Sequence, residues 1–310
     1  MMNKISAPAF VDPLDRRLNA YRFDLADIRL KGKVTAGRFV AAVAAEIRVP
    51  VADLKSQPAL VGETCHQLLF GEPVFVFEQG EQWAWVQSRR DFYVGYVELK
   101  ALEMAGAGDN EKAPGHVAGH VVCVPSTFLY PRAELKSPPI MALSMGSVVS
   151  LQGYQSVRGT KYAVLADGSA MIASHLCARD QLGGDYVAVC ELLENVPYLW
   201  GGASGFGLDC AGMVQLAMRM SGREVLRDSD MQEATLGDQI DAGPDMENLR
   251  RGDLIFWRGH VALCQGEIAG VPHIIHASGH TMNVASEPLD QAIERIAHLY
   301  ERPTGFKRCS

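Results

Sequence analysis

The sequence predicts an α+β chain in which two small β-rich stretches precede a domain of helices followed by strands. Three observations carry this. Residues 39–104 hold short apolar strands divided by polar turns, and residues 116–178 repeat that pattern more weakly. From about residue 180 the apolar spacing turns helical before it returns to strands. Helices followed by antiparallel strands place that last part in the α+β class.

Taken in order, residues 1–38 form a lead-in with one apolar stripe, Leu18, Tyr21, Leu25 and Ile28, suited to packing on a neighbouring domain. In residues 39–104, Leu69-Phe70-Gly71-Glu72 turns the chain into Val74-Phe75-Val76-Phe77. Trp83-Ala84-Trp85-Val86 and Tyr93-Val94-Gly95-Tyr96-Val97 follow as strands, and the spacing predicts a small barrel. Residues 105–115 are polar and Gly-rich, as a linker is. In residues 116–178, Ala166-Asp167-Gly168 marks a hairpin. The final domain, 179–310, opens with a candidate helix at 185–194. Strands are expected at Leu254-Ile255-Phe256-Trp257, His260-Val261-Ala262-Leu263-Cys264 and His273-Ile274-Ile275-His276-Ala277.

Composition narrows the function classes. A net charge of −7 argues against a general nucleic-acid binder. No apolar run approaches the roughly 20 residues needed to span a bilayer. The first 30 residues lack an apolar core of the secretory kind. Seven cysteines, an odd number with no CxxC pair, fit reduced thiols in a cytoplasm.

The chemistry centres on Cys210. Gly201, Gly202, Gly205 and Gly207 precede it, glycines that permit positive-φ turns. Asp209 stands at an N-cap position, and Met213, Val214, Ala217 and Met220 recur at helical spacing behind it. A cysteine in a first helical turn feels a partial positive charge that favours thiolate. A buried cysteine beginning a core helix would carry the same pattern. A nucleophile needs a base and the base an orienting group. Strand alternation puts His260, Ala262 and Cys264 on one face and lets Ile274 and His276 share a face. If the strands pair, Cys210, His260 and His276 serve as nucleophile, base and orienter. Strand histidines are also common as purely structural residues.

Two resemblances follow from these residues. Leu69-Phe70-Gly71-Glu72, the Trp83/Trp85 strand and Asp91-Phe92-Tyr93-Val94-Gly95-Tyr96-Val97 resemble a bacterial SH3-like (SH3b) domain, with a second copy over 116–178. Pro197-Tyr198-Leu199-Trp200-Gly201-Gly202, Leu208-Asp209-Cys210-Ala211-Gly212, Arg251-Gly252-Asp253-Leu254-Ile255-Phe256-Trp257, His260-Val261-Ala262-Leu263 and Ile274-Ile275-His276-Ala277 resemble the papain-like NlpC/P60 cysteine peptidases. The whole chain is similar to members of dipeptidyl-peptidase VI type. These cleave the bond between γ-D-glutamate and an L-diamino acid in cell-wall peptides. The resemblance implies that Tyr198 supports the oxyanion and that Asp209, Asp228 and Ser229 hold the free amine of an N-terminal L-alanine. It further implies that Tyr93 closes the substrate cleft. Tyr93 could equally be a barrel-core residue, and Asp209 and Ser229 a cap and a loop residue. Ala211 departs from the family's usual serine, which removes a hydroxyl near the substrate. The implied substrate is a small murein peptide, met in the cytoplasm during peptidoglycan recycling, with no cofactor, metal, nucleic acid or membrane involved. Three other readings stand beside it. One is a zinc hydrolase on His273, His276 and His280, which lacks an HExxH motif. Another is a peptidoglycan-binding module, and the third an amidase or acyltransferase on the same scaffold.

Overall fold

The computed structural model describes residues 14–105, 119–299 and 301–309. The expected linker, apart from Ala105, and the start of the lead-in lie outside the described residues. The chain divides into two compact units. One comprises residues 14–182 with 204–206. The other comprises, among the described residues, 183–203, 207–299 and 301–309.

In the first unit, seven antiparallel strands form one sheet. Its order runs Thr64–Leu69, Val51–Lys55, Val94–Glu98, Trp83–Ser88, Pro73–Gln79, Val43–Ile47 and Leu102–Met104. Among the described residues no pairing joins its two edge strands, so the expected small barrel is here an open sheet. After Thr64–Leu69 the chain turns at Gly71, φ +79°, and Phe70 accepts a hydrogen bond from Val148 N at 2.8 Å instead of continuing the sheet. A Cβ on Gly71 would lie 2.1 Å from the Val148 carbonyl oxygen. Phe70 thereby joins a core of Val122, Leu129, Leu143, Val149 and Met171, which binds the two β-rich stretches to each other. Residues 120–178 form three small sheets, with the expected hairpin between Thr160–Leu165 and Ala170–Ile172. In the lead-in, Leu25 packs with Ala20, Phe77 and Trp85, whereas Ile28 is exposed.

The second unit carries the nucleophile. Helix α1 (Tyr186–Leu192) is capped by Asp185, which accepts from Val187 N at 2.8 Å. Helix α2 (Cys210–Met220) is buried along all eleven residues, as a core helix must be. Gly222, φ +78°, follows its end, and Arg223 N donates to Met218 O. Helix α3 is Ser229–Thr235. Beside the short strand Gly207–Leu208, the unit has β1 (Asp238–Gln239), β2 (Leu254–Trp257), β3 (His260–Ile268), β4 (Val271–Ser278), β5 (Asn283–Pro288) and β6 (Gly305–Arg308). They form one sheet in the order β1-β6-β2-β3-β4-β5. Beyond Ala277 the sequence reading placed no element, yet β5, α4 (Leu289–Leu299) and β6 follow there. The buried stripe of α4, Leu289, Ala292, Ile293 and Ile296, packs on Ile255, Ala262 and Ile274. That is the sheet face to which His260 and His276 also belong by alternation.

The β3–β4 hairpin turns at Ala269-Gly270, both with positive φ, as a two-residue hairpin loop requires. Pairing then runs Ile268 to Val271, Glu267 to Pro272 and Gly266 to His273. It shifts by one at a bulge, after which Cys264 faces Ile274 and Leu263 faces Ile275.

Candidate active site

Cys210, at the first turn of α2, is 7% exposed. Its depth is set by backbone contact. A Cβ on Gly212 would lie 2.0 Å from the Gly202 carbonyl oxygen, and one on Gly202 would lie 2.6 Å from that of Gly207. Of the four glycines before Cys210 only Gly201 has positive φ, +76°. Gly202 and Gly207 are needed for close approach more than for turning.

The Asp209 carboxylate caps α2, accepting from Gly212 N at 2.7 Å and from Gly201 N at 3.0 Å. It also accepts two bonds from Arg227, Nη1 at 3.0 Å and Nη2 at 2.6 Å. Arg227 is buried to 2% exposure, so the pair is paired and fully bonded, as buried charge must be. These four donors give Asp209 the role of fixing the loop before the nucleophile. Arg227 was not singled out as a site residue in the sequence, although it adjoins Asp228 and Ser229. Those two start α3 and are half-buried. Gln232 of α3 donates to the carbonyls of Ala211 and Leu226, tying α3 to the start of α2.

His260 opens β3 and His276 lies in β4. Their ring atoms Nε2 and Nδ1 are 2.8 Å apart, so the orienting contact anticipated from alternation is present. Trp257, paired with His260 across the β2–β3 hairpin, stands 5.5 Å from its ring. His276, 1% exposed, places Nε2 2.6 Å from Glu287 Oε1, and Arg295 of α4 donates to that same oxygen. Glu287 and Arg295 were missed in the sequence. Glu287 faces Ile274 across β4 and β5, which puts it on the His276 face.

A cavity of about 460 Å³ in this unit is lined by Tyr198, Trp200, Cys210, Trp257, His260 and His276, among others. Tyr198, Cys210, His260 and His276 are thus gathered around one space, with Asp209 directly behind Cys210. Asp228 and Ser229 are not among the residues lining it. Tyr93 belongs to the other unit, where it is 5% exposed and edge-on to the His66 ring. The three histidines of the zinc reading are not gathered. His273 Nδ1 lies 2.8 Å from Val271 O, and His276 is committed to His260 and Glu287.

Burial opposes the helix terminus at the thiol. Burial pushes Cys210 up to about 12, and the neighbouring Asp209 charge adds to that. The Val261 N–H works in the opposite direction without winning. The Cys210 Sγ–H points to the Gly259 carbonyl, 3.9 Å away. Burial takes His260 down to about 3, helped by His276 and Arg295 and opposed by Glu287. Burial thus favours the uncharged form of each group. Burial acts to raise Glu287, but hydrogen bonds from His276 and Arg295 outweigh it and hold the carboxyl near 2.

Comparison with known proteins finds similarity in both parts of the chain. Residues 195–298 match the NlpC/P60 family, and residues 57–102 match the bacterial dipeptidyl-peptidase SH3 domain. The chain is 27% identical over 251 residues to dipeptidyl-peptidase 6 of Lysinibacillus sphaericus, covering 76% of this chain and 89% of that protein. It is 28% identical over 205 residues to the gamma-D-glutamyl-L-lysine dipeptidyl-peptidase of Bacillus subtilis, covering 62% and 63%. In fold it is similar to an NlpC/P60 family protein from Bacillus cereus, with TM-score 0.68 at 21% identity over 86% of this chain and 99% of that one.

Proposed function

Because the chain carries an NlpC/P60 domain of cysteine-peptidase type behind a bacterial SH3 domain, we propose that it hydrolyses the γ-D-glutamyl–L-diamino acid bond of small murein peptides with an unblocked N-terminal L-alanine. The carrying observation is that His260 and His276, bonded to each other and backed by Glu287, line the cavity that Cys210 also lines. The name of the Bacillus subtilis relative supports the bond class, and that of the Lysinibacillus relative a dipeptidyl-peptidase. Residues 116–178, read as a second SH3-like module, fit the same organisation.

In this reading His260 takes the proton from Cys210 as Sγ adds to the γ-carbonyl carbon of D-glutamate. The oxyanion is received by the Cys210 backbone N–H and the Tyr198 hydroxyl. His260 then protonates the departing amine, and water resolves the thioester. Asp228 and Ser229 are assigned to the substrate's ammonium, while Asp209 acts through Arg227 and the loop. The buried thiols Cys190, Cys210 and Cys264 form no disulfide, which suits a reducing compartment and a role in peptide recycling.

The test compares kcat/KM for L-Ala-γ-D-Glu-diaminopimelate with its N-acetylated form, products being read by mass spectrometry. A missing ammonium leaves a carboxylate without its partner, at a cost of roughly 1–3 kcal/mol, so the free peptide should be favoured about tenfold to a hundredfold. Asp228→Asn should remove most of that preference. Equal rates for the two peptides would defeat the amine-recognition reading.

A further inference from the structure

We infer that Glu287, held by Arg295, is a positioning residue that sets the tautomers of both histidines and so leaves His260 Nδ1 as the bare nitrogen available to the thiol. The inference rests on the thiol-peptidase reading and adds a residue to it. It follows from counting protons along the chain of contacts. An ionised carboxylate only accepts. Glu287 Oε1 already takes a bond from Arg295, which keeps it ionised, and at 2.6 Å it requires a proton on His276 Nε2. In neutral His276 the Nδ1 is then a lone pair. The 2.8 Å contact to His260 requires the proton on His260 Nε2, because the other side has none to give. His260 Nδ1 is left without a proton. A base in the opposite tautomer would present N–H to the thiol and could accept nothing.

Among the described residues, Glu287 Oε1 is the hydrogen-bond partner of His276 Nε2. The other charged and titratable groups are Cys210 from α2 and Arg258, His280 and Glu301 on the cavity wall, with Glu287 from β5 and Arg295 from α4. When His260 takes up the thiol proton, the Glu287 charge lies one ring away and stabilises the imidazolium, while Arg295 opposes it.

The direct measurement is the ¹⁵N side-chain spectrum of histidine in the full chain at neutral pH. His260 and His276 should both show protonated Nε2 and unprotonated Nδ1. A protonated Nδ1 in either ring would overturn the inference without any variant. Glu287→Gln sharpens it. One oxygen takes both bonds, so in the amide Arg295 and His276 share a single carbonyl oxygen that no longer carries a charge; the imidazolium loses its counter-charge, and in every molecule whose N–H₂ turns to His276 both tautomers are inverted. We expect kcat to fall about 10- to 1,000-fold with KM within about twofold. This is below the roughly 10⁴-fold loss seen when the carboxylate bonded directly to the serine-triad histidine is made an amide. The acid limb of kcat should move to lower pH in Glu287→Gln and to higher pH in Arg295→Met, a pair of opposite shifts that a purely structural role would not produce. Native tautomers and wild-type kcat in Glu287→Gln would refute the assignment. Cys210→Ala in the same assay separates the two readings. Turnover in that variant defeats the thiol reading. Its loss, beside an unaffected Glu287→Gln, defeats only the role of Glu287.

Discussion

Two carboxylate–guanidinium pairs flank the site, and they differ in what the carboxylate has left to offer. Asp209 receives Arg227 and two backbone N–H groups, two donors on each oxygen. Glu287 receives Arg295 but puts its Oε1 also against an imidazole. The first pair is spent on holding backbone, the second on a ring that changes its protonation during reaction. Burial follows the same division. The Arg227 and Asp209 side chains are 2% and 12% exposed, those of Arg295 and Glu287 22% and 20%. The same ion pair thus serves as a staple at the nucleophile and as an orienter behind the base.

Removing the groups between the two pairs should have the largest effect. Cys210→Ala or His260→Ala should lower kcat on the order of 10⁴-fold or more while the circular dichroism spectrum stays native. Near-native turnover in either would break the comparison, because neither pair would then flank a reacting group.

Stability should separate the pairs next. Arg227→Met strands a buried carboxylate and should cost about 3–5 kcal/mol in urea unfolding. Arg295→Met, at a more solvated pair, should cost no more than about 1 kcal/mol. Equal costs would show that exposure does not distinguish them.

The smallest effect is a pH linkage. His260 sits near 3 when folded, against 6.5 ordinarily. Below pH 6.5 the unfolded chain takes a proton that the folded chain refuses, so this share of stability is present above 6.5 and is lost as pH falls toward 3. The stability difference between wild type and His260→Asn should narrow over that range. A constant difference would reassign the titration. The thiol has the opposite window. Cys210 is raised from 9.0 to about 12, so its share is lost as pH rises through that interval.

What was legible in the sequence was local. A cap, a helical stripe and strand alternation were enough to join Cys210, His260 and His276. The stripe of α4 at Leu289, Ala292, Ile293 and Ile296 went unread, and with it Arg295, although its helical spacing is present in the sequence. Glu287 was not legible, because its facing of Ile274 depends on the register between β4 and β5, which no single strand encodes. Arg227 was hidden for a related reason. Its partner lies eighteen residues away through a loop, and a sequence shows a charge without showing that it is buried. The pull of the helix terminus on the thiol is visible in sequence, whereas the desolvation that opposes it is not.

The bulge in β3 makes the meeting of the two histidines a matter of parity. Counted from the turn without it, a regular hairpin would set His276 opposite Leu263, and its ring would leave the sheet on the side away from His260. One surplus residue near Gln265 turns an odd offset into an even one. Lengthening or shortening either arm by one residue would therefore exchange the two sides without disturbing the strands themselves, and a second such change would restore them. The hairpin keeps its site by counting modulo two, and its sequence can drift in composition far more freely than in length.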